Sequence, residues 1–253
     1  MKHLITLTLV GLVLGHWHNA SAESREIAVI APGGIRVAME ELIPGFEAKT
    51  GDKVKVKFGS GVATKKQVAS GEAFDLTILQ PPYPEVIASG NVLADSARQL
   101  ATISLAVAVK KGAAKPDVST PDAVKRLLLK VSSVSSPDAT ATAAGGNFAE
   151  AMKKLGITEQ MQPKLKVAPS GAAAMEALAK GEGEIGITFL SEMDNPGVDA
   201  VGPLPRQILP PVALVGMVSS HAKEPEAAKK LLDYLSSHEA AAVYKAKGMT
   251  PGR

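Results

Sequence analysis

Two glycine-rich turns hold the residues best placed for chemistry: Gly33 and Gly34 followed by Arg36, and Gly59, Ser60 and Gly61. Each turn joins a strand-like run to a helix-like one. A helix N-terminus carries unpaired N–H groups and a partial positive charge, so Gly or Ser at that point lets a negative ligand reach the backbone. Gly33, Gly34, Ser60 and Gly61 therefore read as an anion cradle, although the same glycines would also serve a chain that only needed unusual backbone angles. Arg36, in a first turn where a cation opposes the helix dipole, invites an anionic partner.

Composition removes competing chemistries. The chain has no cysteine, hence no disulfide, thiolate nucleophile or cysteine metal site. Of five histidines, His3, His16 and His18 fall in an N-terminal leader; His221 and His238 lie in polar, helix-rich surroundings and read as surface residues. Catalytic triads, metal sites and bound cofactors thus find no support. A net charge of +3 is too small and too dispersed for a nucleic-acid or membrane-surface protein. The single tryptophan, Trp17, is in the leader, which leaves no indole platform for a sugar or base. That leader, residues 1–22, has a basic start (Lys2), an apolar stretch from Leu4 to Gly15 and a small-residue cleavage site at Ala20-Ser21-Ala22. It predicts export to the periplasm.

The elements that must position these turns alternate. Strand signals at 26–30, 54–58 and 74–79 are separated by helical patterns at 37–48 and 64–69, with a further helix at 84–89 closed by Gly90. This order predicts a parallel sheet flanked by helices, whose ligands lie beyond the carboxyl ends of the strands, where both turns fall. Strands at 103–109, 131–134, 166–167 and 184–189, with helices at 120–129, 147–155 and 172–180, repeat the plan, and Ser170 caps the last of these helices. A strand at 211–218 and helices at 225–236 and 239–246 complete the chain. The reading is an α/β fold of two lobes, each a mostly parallel sheet with helices, joined by two crossing strands. Lobe 1 takes residues 23–105 and 213–253, and lobe 2 takes 106–212.

Several segments resemble the periplasmic molybdate-binding proteins, class II solute receptors of ABC transporters. They are Pro44 to Gly51, Phe58 to Gly61, Gln67 to Gly71, Phe74-Asp75, Met152 to Gly156, Ala177 to Thr188 and Glu239 to Gly248. The resemblance implies a monomeric receptor for a small anion that docks on a membrane permease. It also places a ligand loop at 140–146, with Thr142 and Ala143 as contacts, and adds Ser170, Gly171 and Ser191; the Ala/Thr/Gly run at 140–146 equally suits an ordinary loop. Two departures stand out. Molybdate receptors usually present a serine in the turn after the first strand, where this chain has Pro32, Gly33 and Gly34, and commonly a tyrosine where it has Phe189. With two neutral donors for a tetrahedral oxyanion missing and the fork of Arg36 suited to a planar carboxylate, an organic acid is the better ligand.

The chain is also similar to the periplasmic aconitate isomerases, which share this fold and move a proton on a tricarboxylate. That reading needs an acid–base group beside a carboxylate clamp, and the candidates are Ser60 and Glu192. Arg206, just before the return strand, reads as a surface residue. Receptor and isomerase both stay open, with the receptor ahead for want of an evident proton-transfer group.

Overall fold

Strand and helix signals condense into two sheets in the computed structural model, which describes residues 24–252. The leader lies outside the described residues. The first sheet contains β1 (Glu26–Pro32), β2 (Lys53–Gly59), β3 (Leu76–Leu79), β4 (Arg98–Ile103), β10 (Val212–Val218) and β11 (Thr250–Pro251), in the order β11-β4-β10-β3-β1-β2. β1 pairs in parallel with both β2 and β3, and β10 runs antiparallel between β3 and β4. The second sheet contains β5 (Leu105–Lys110), β6 (Val134–Pro137), β7 (Leu165–Ala168), β8 (Ile185–Phe189) and β9 (Val198–Pro203), in the order β7-β6-β8-β5-β9. Here β6 is parallel to β7 and β8, while β5 is antiparallel to β8 and β9. The two helix-flanked sheets of the expected two-lobed α/β fold are thus both present, but each is mixed and not mostly parallel, because the strands that flank the two crossings, β4 and β10 in one sheet and β5 and β9 in the other, pair antiparallel, as does β11.

The chain passes between sheets twice, through Ser104 and through the segment from Pro203 to Val212. The apolar run at 103–109 is therefore two strands: Ile103 ends β4 against β10, and Leu105 begins β5 against Phe189 of β8. Strand β4 itself carries no alternation, since Arg98 and Gln99 are exposed while Leu100 and Ala101 are both buried. Strand β9 is an edge of its sheet, mostly half-buried, and ends in Gly202 and Pro203, residues that weaken a strand signal.

Helices α1 (Arg36–Thr50), α2 (Gly61–Ala69) and α3 (Pro84–Ser89) follow the parallel strands of the first sheet; α4 (Pro121–Lys130), α5 (Ala143–Leu155), α6 (Thr158–Met161) and α7 (Gly171–Lys180) belong to the second, and α8 (Pro225–Leu235) and α9 (His238–Ala246) return to the first. Burial explains α1: Ala38, Met39, Leu42 and Phe46 line one face and pack with Ile27, Val29 and Leu76 of the sheet. Pro44, inside this helix, sits on its exposed face and does not end it. Outer strand β2 turns Lys53, Lys55 and Lys57 to solvent, each near Glu47, Glu26 or Glu72, which discourages a further strand from pairing with that edge.

Candidate functional site

Each wall of one cavity is made by residues that follow the carboxyl end of a parallel strand, as the topology requires. After β1 comes the turn Gly33–Ile35, after β2 Ser60, after β3 Gln80, after β7 Pro169 and Ser170, and after β8 Ser191 and Glu192. The cavity encloses about 520 Å³. Gly33, Gly34, Arg36, Ser60 and Gly61 line it from the first sheet, and Thr142, Ala143, Ser170, Gly171 and Ser191 line it from the second. All ten binding residues expected from the sequence are thus brought together. Arg206 is exposed and not among the lining residues, and His221 and His238 are exposed.

Four helix N-termini face this space. Ser60 Oγ accepts from Ala63 N at 3.1 Å, Thr142 Oγ1 from Gly145 N at 2.9 Å and Ser170 Oγ from Ala173 N at 3.2 Å. Each cap satisfies one of its helix's free N–H groups and leaves others for a ligand. Helix α1 is preceded by a 3-10 turn and has no side-chain cap. Helix α5 begins at Ala143, four residues before the expected start at 147, and this is what brings its N-terminus to the cavity. The loop before it is set by Asp138, whose carboxylate accepts from Thr140 N, Thr140 Oγ1 and Ala141 N. Those hydrogen bonds, that of the Thr140 hydroxyl first, hold its pKa below the usual carboxylate range.

Gly61 and Gly171 are required by close approach and not by backbone angle. None of Gly33, Gly34, Gly61 and Gly171 has positive φ. A Cβ on Gly171 would collide with Glu192 Oε2 and Thr188 Oγ1, one on Gly61 would collide with Gln80 Oε1, and one on Gly33 would lie 3.5 Å from Glu192 Oε1. The two walls also touch directly. Ser191 Oγ donates to Gly34 O at 2.8 Å, so its proton is spent on the opposite wall.

Glu192 is the most perturbed group in the cavity. Burial raises its pKa; a hydrogen bond from Thr188 Oγ1 at 2.5 Å and the backbone N–H of Phe189 oppose the shift without cancelling it. Its carboxyl therefore sits between Gly33 of one wall and Gly171 of the other and holds a proton more tightly than an ordinary glutamate. Arg36 is at the mouth, with half of its side chain exposed, its guanidinium 4.2 Å from the centre of the Phe58 ring and Nη1 3.7 Å from Glu40 Oε1. The lining includes one basic residue, Arg36, beside the acids Glu40, Glu192 and Asp194. Positive potential for an anion must therefore come mainly from the helix N-termini. Sequence reasoning missed Glu40, Phe58, Gln80 and Asp194 as lining residues. A glutamine directly after the buried strand at 74–79 was the one signal available for Gln80.

With this geometry established, relatives can be compared. A family model described as bacterial extracellular solute-binding protein matches residues 27–250. An aconitate isomerase from Pseudomonas sp is 30% identical, covering 98% of this chain and 97% of that protein. The molybdate-binding protein ModA of Azotobacter vinelandii is 29% identical over 90% of this chain and 91% of its own. The solved structure of the Azotobacter vinelandii periplasmic molybdate-binding protein superposes with a TM-score of 0.75 at 19% identity, over 90% of this chain and 100% of that one. The resemblance to molybdate-binding-type receptors and the two-lobed fold are both borne out.

Proposed function

Because the chain belongs to the bacterial extracellular solute-binding protein family, we propose that its cavity takes up a small polycarboxylate in the periplasm and that Glu192 exchanges a proton with it, in the manner of an aconitate isomerase. The observation that carries this reading is Glu192: a carboxyl of raised proton affinity lining a ligand cavity, which makes its ionised form a stronger base and suits a group that must take a proton and return it. The full-length likeness to an aconitate isomerase supports the same choice. It also supplies the proton-transfer group whose absence favoured a receptor on sequence alone. Ser60 is the weaker candidate, since its oxygen is engaged in capping α2.

In this scheme Glu192 removes a proton from the carbon adjoining a carbon–carbon double bond, and the C–H electron pair spreads over the allyl unit and its carboxylate. The same carboxyl returns the proton to the far end of the allyl unit, so the double bond moves and no other atom is gained or lost. The developing charge is stabilised by the N-termini of α1, α2, α5 and α7, with Arg36 clamping a carboxylate. Neither step calls on a cofactor.

Incubation with cis- or trans-aconitate, followed by chromatography, tests the reading. Interconversion by the wild type, lost in Glu192→Gln while binding persists, is the expected result. Binding without turnover in the wild type would instead favour a second reading, a monomeric receptor that delivers an organic anion to the permease of an ABC transporter. The Ser191–Gly34 hydrogen bond favours it, because contact between the walls is what a closing receptor uses to hold its ligand.

A further inference from the structure

One polar side chain in the cavity has no task in the scheme above. Gln80 follows β3, is 3% exposed, and its Oε1 is sealed from solvent with no hydrogen-bond partner among the described residues. Buried amide groups in folded proteins are nearly always paired, since an unpaired one gives up its hydration for nothing. The surroundings hold this amide in place. Oε1 lies against Gly61 at the start of α2, where any Cβ would strike it, and Nε2 lies in ordinary contact range, 3.6 Å, of where a Cβ on Gly34 would stand. Ala143, on the opposite wall, approaches the same Gly61 position to 3.1 Å and closes the pocket over it. The positive end of α2 favours the oxygen, and not the NH₂, on this side of the amide.

We propose that Gln80 is a specificity-determining, ligand-binding residue whose amide oxygen, covered by Ala143 of the opposite wall in this closed arrangement, accepts a hydrogen bond, once the walls part to admit the ligand, from an O–H group of the polycarboxylate, either a hydroxyl or a protonated carboxyl. The proposal rests on the polycarboxylate reading of the cavity. The helix N-termini and Arg36 present donors, which any carboxylate oxygen can use; an orphaned acceptor is selective, because only a ligand with a proton to give can satisfy it. The unpaired oxygen lowers the stability of the empty protein, as is common where a site is kept ready for a partner.

The test uses Gln80→Met, which keeps volume and shape and removes both polar atoms. Calorimetry compares malate with succinate and citrate with tricarballylate, pairs that differ by a hydroxyl, at about pH 7.5 and about pH 5.5, on either side of which carboxyl protonation changes. If the donor is a hydroxyl, the wild type binds the hydroxy acid about tenfold or more tightly than its partner, and the ratio falls to near one in Gln80→Met. If the donor is a protonated carboxyl, the acids lacking a hydroxyl gain about tenfold on acidification in the wild type and not in the variant. Either pattern supports the proposal. In both cases ligand-free Gln80→Met melts at or above the wild-type temperature, because an unsatisfied buried oxygen has been removed. Wild-type affinity for every acid in the variant would overturn the proposal, and so would a ligand-free variant that melts several degrees lower, which would make Gln80 structural. If none of the acids shifts wild-type melting, the polycarboxylate reading fails. The acceptor role of Gln80 then fails with it, whereas acids that bind wild type and Gln80→Met alike overturn the role of Gln80 alone.

Discussion

Replacing Ser191 by alanine should loosen the two walls without unfolding either. Its hydroxyl donates to Gly34 O at 2.8 Å, across the cavity, and the side chain is 4% exposed. Leaving a buried carbonyl unpaired costs about 1–3 kcal/mol, whereas losing a hydrogen bond that water can replace costs about 0.5–1.5 kcal/mol. The lower range governs here. Once the walls separate, Gly34 O is hydrated, so the molecule avoids the larger cost by opening. The loss therefore falls on the closed form alone, and ligand affinity should drop roughly two- to tenfold. Small-angle scattering on ligand-free protein should show a larger radius of gyration for Ser191→Ala, and calorimetry with cis-aconitate should show the weaker binding. A wild-type scattering curve together with wild-type affinity would refute the idea that this hydrogen bond holds the lobes together.

Three further substitutions, at Glu192 and Arg36, probe the charges at the site. Glu192 holds its proton more tightly when folded than when unfolded, so its favourable contribution is present at low pH and is lost as pH rises through the raised folded value. Glu192→Gln should accordingly melt above the wild type near pH 8, with the gap closing below about pH 4, where the glutamate is protonated in both states; parallel melting curves from pH 4 to pH 8 would show that burial does not perturb this carboxyl. Arg36→Ala should weaken carboxylate binding about tenfold or more, the value of a charged hydrogen bond, while thermal stability barely moves, because its partner Glu40 is exposed and such surface pairs contribute about 0–1 kcal/mol. Partial recovery of affinity in Arg36→Lys, measured by calorimetry, would identify the guanidinium fork as the gripping element.

What could be read from the sequence depended on whether the signal was local. The turns at Gly33 and at Ser60 were legible because each lies between a strand signal, apolar before Gly33 and alternating before Ser60, and a periodic helix, and a parallel sheet sends its strand ends to one side. The start of α5 was not. Gly145 and Gly146 are poor helix formers, yet Gly145 is the residue that lets the first turn pack on the carbonyl of Asp138, where a Cβ would collide. Tertiary approach decided the helix boundary against propensity. Strand β4 was hidden for a related reason: its run from Arg98 to Ile103 is buried by β10 and β11, which are distant in sequence, so no period-two pattern was imposed on it.

The site divides along the same line. Strand ends determine where Gly34, Ser60, Ser170 and Ser191 stand, and so their shared cavity followed from element order. Protonation and pairing depend on what the opposite wall brings. Glu192 is an ordinary glutamate in the sequence, and its raised proton affinity arises only when the fold half-buries its carboxyl against Gly171 and Thr188. Gln80 is an ordinary glutamine until Gly61, Gly34 and Ala143 close around its amide without offering a donor. The preference for a receptor over an isomerase, drawn from residue types, therefore rested on the quantity a linear chain does not display. A carboxylate becomes a useful base through its surroundings, and here those surroundings include Gly171, whose role is to have no side chain where Glu192 needs the space, with Gly33 of the other wall in ordinary contact range of the same carboxyl.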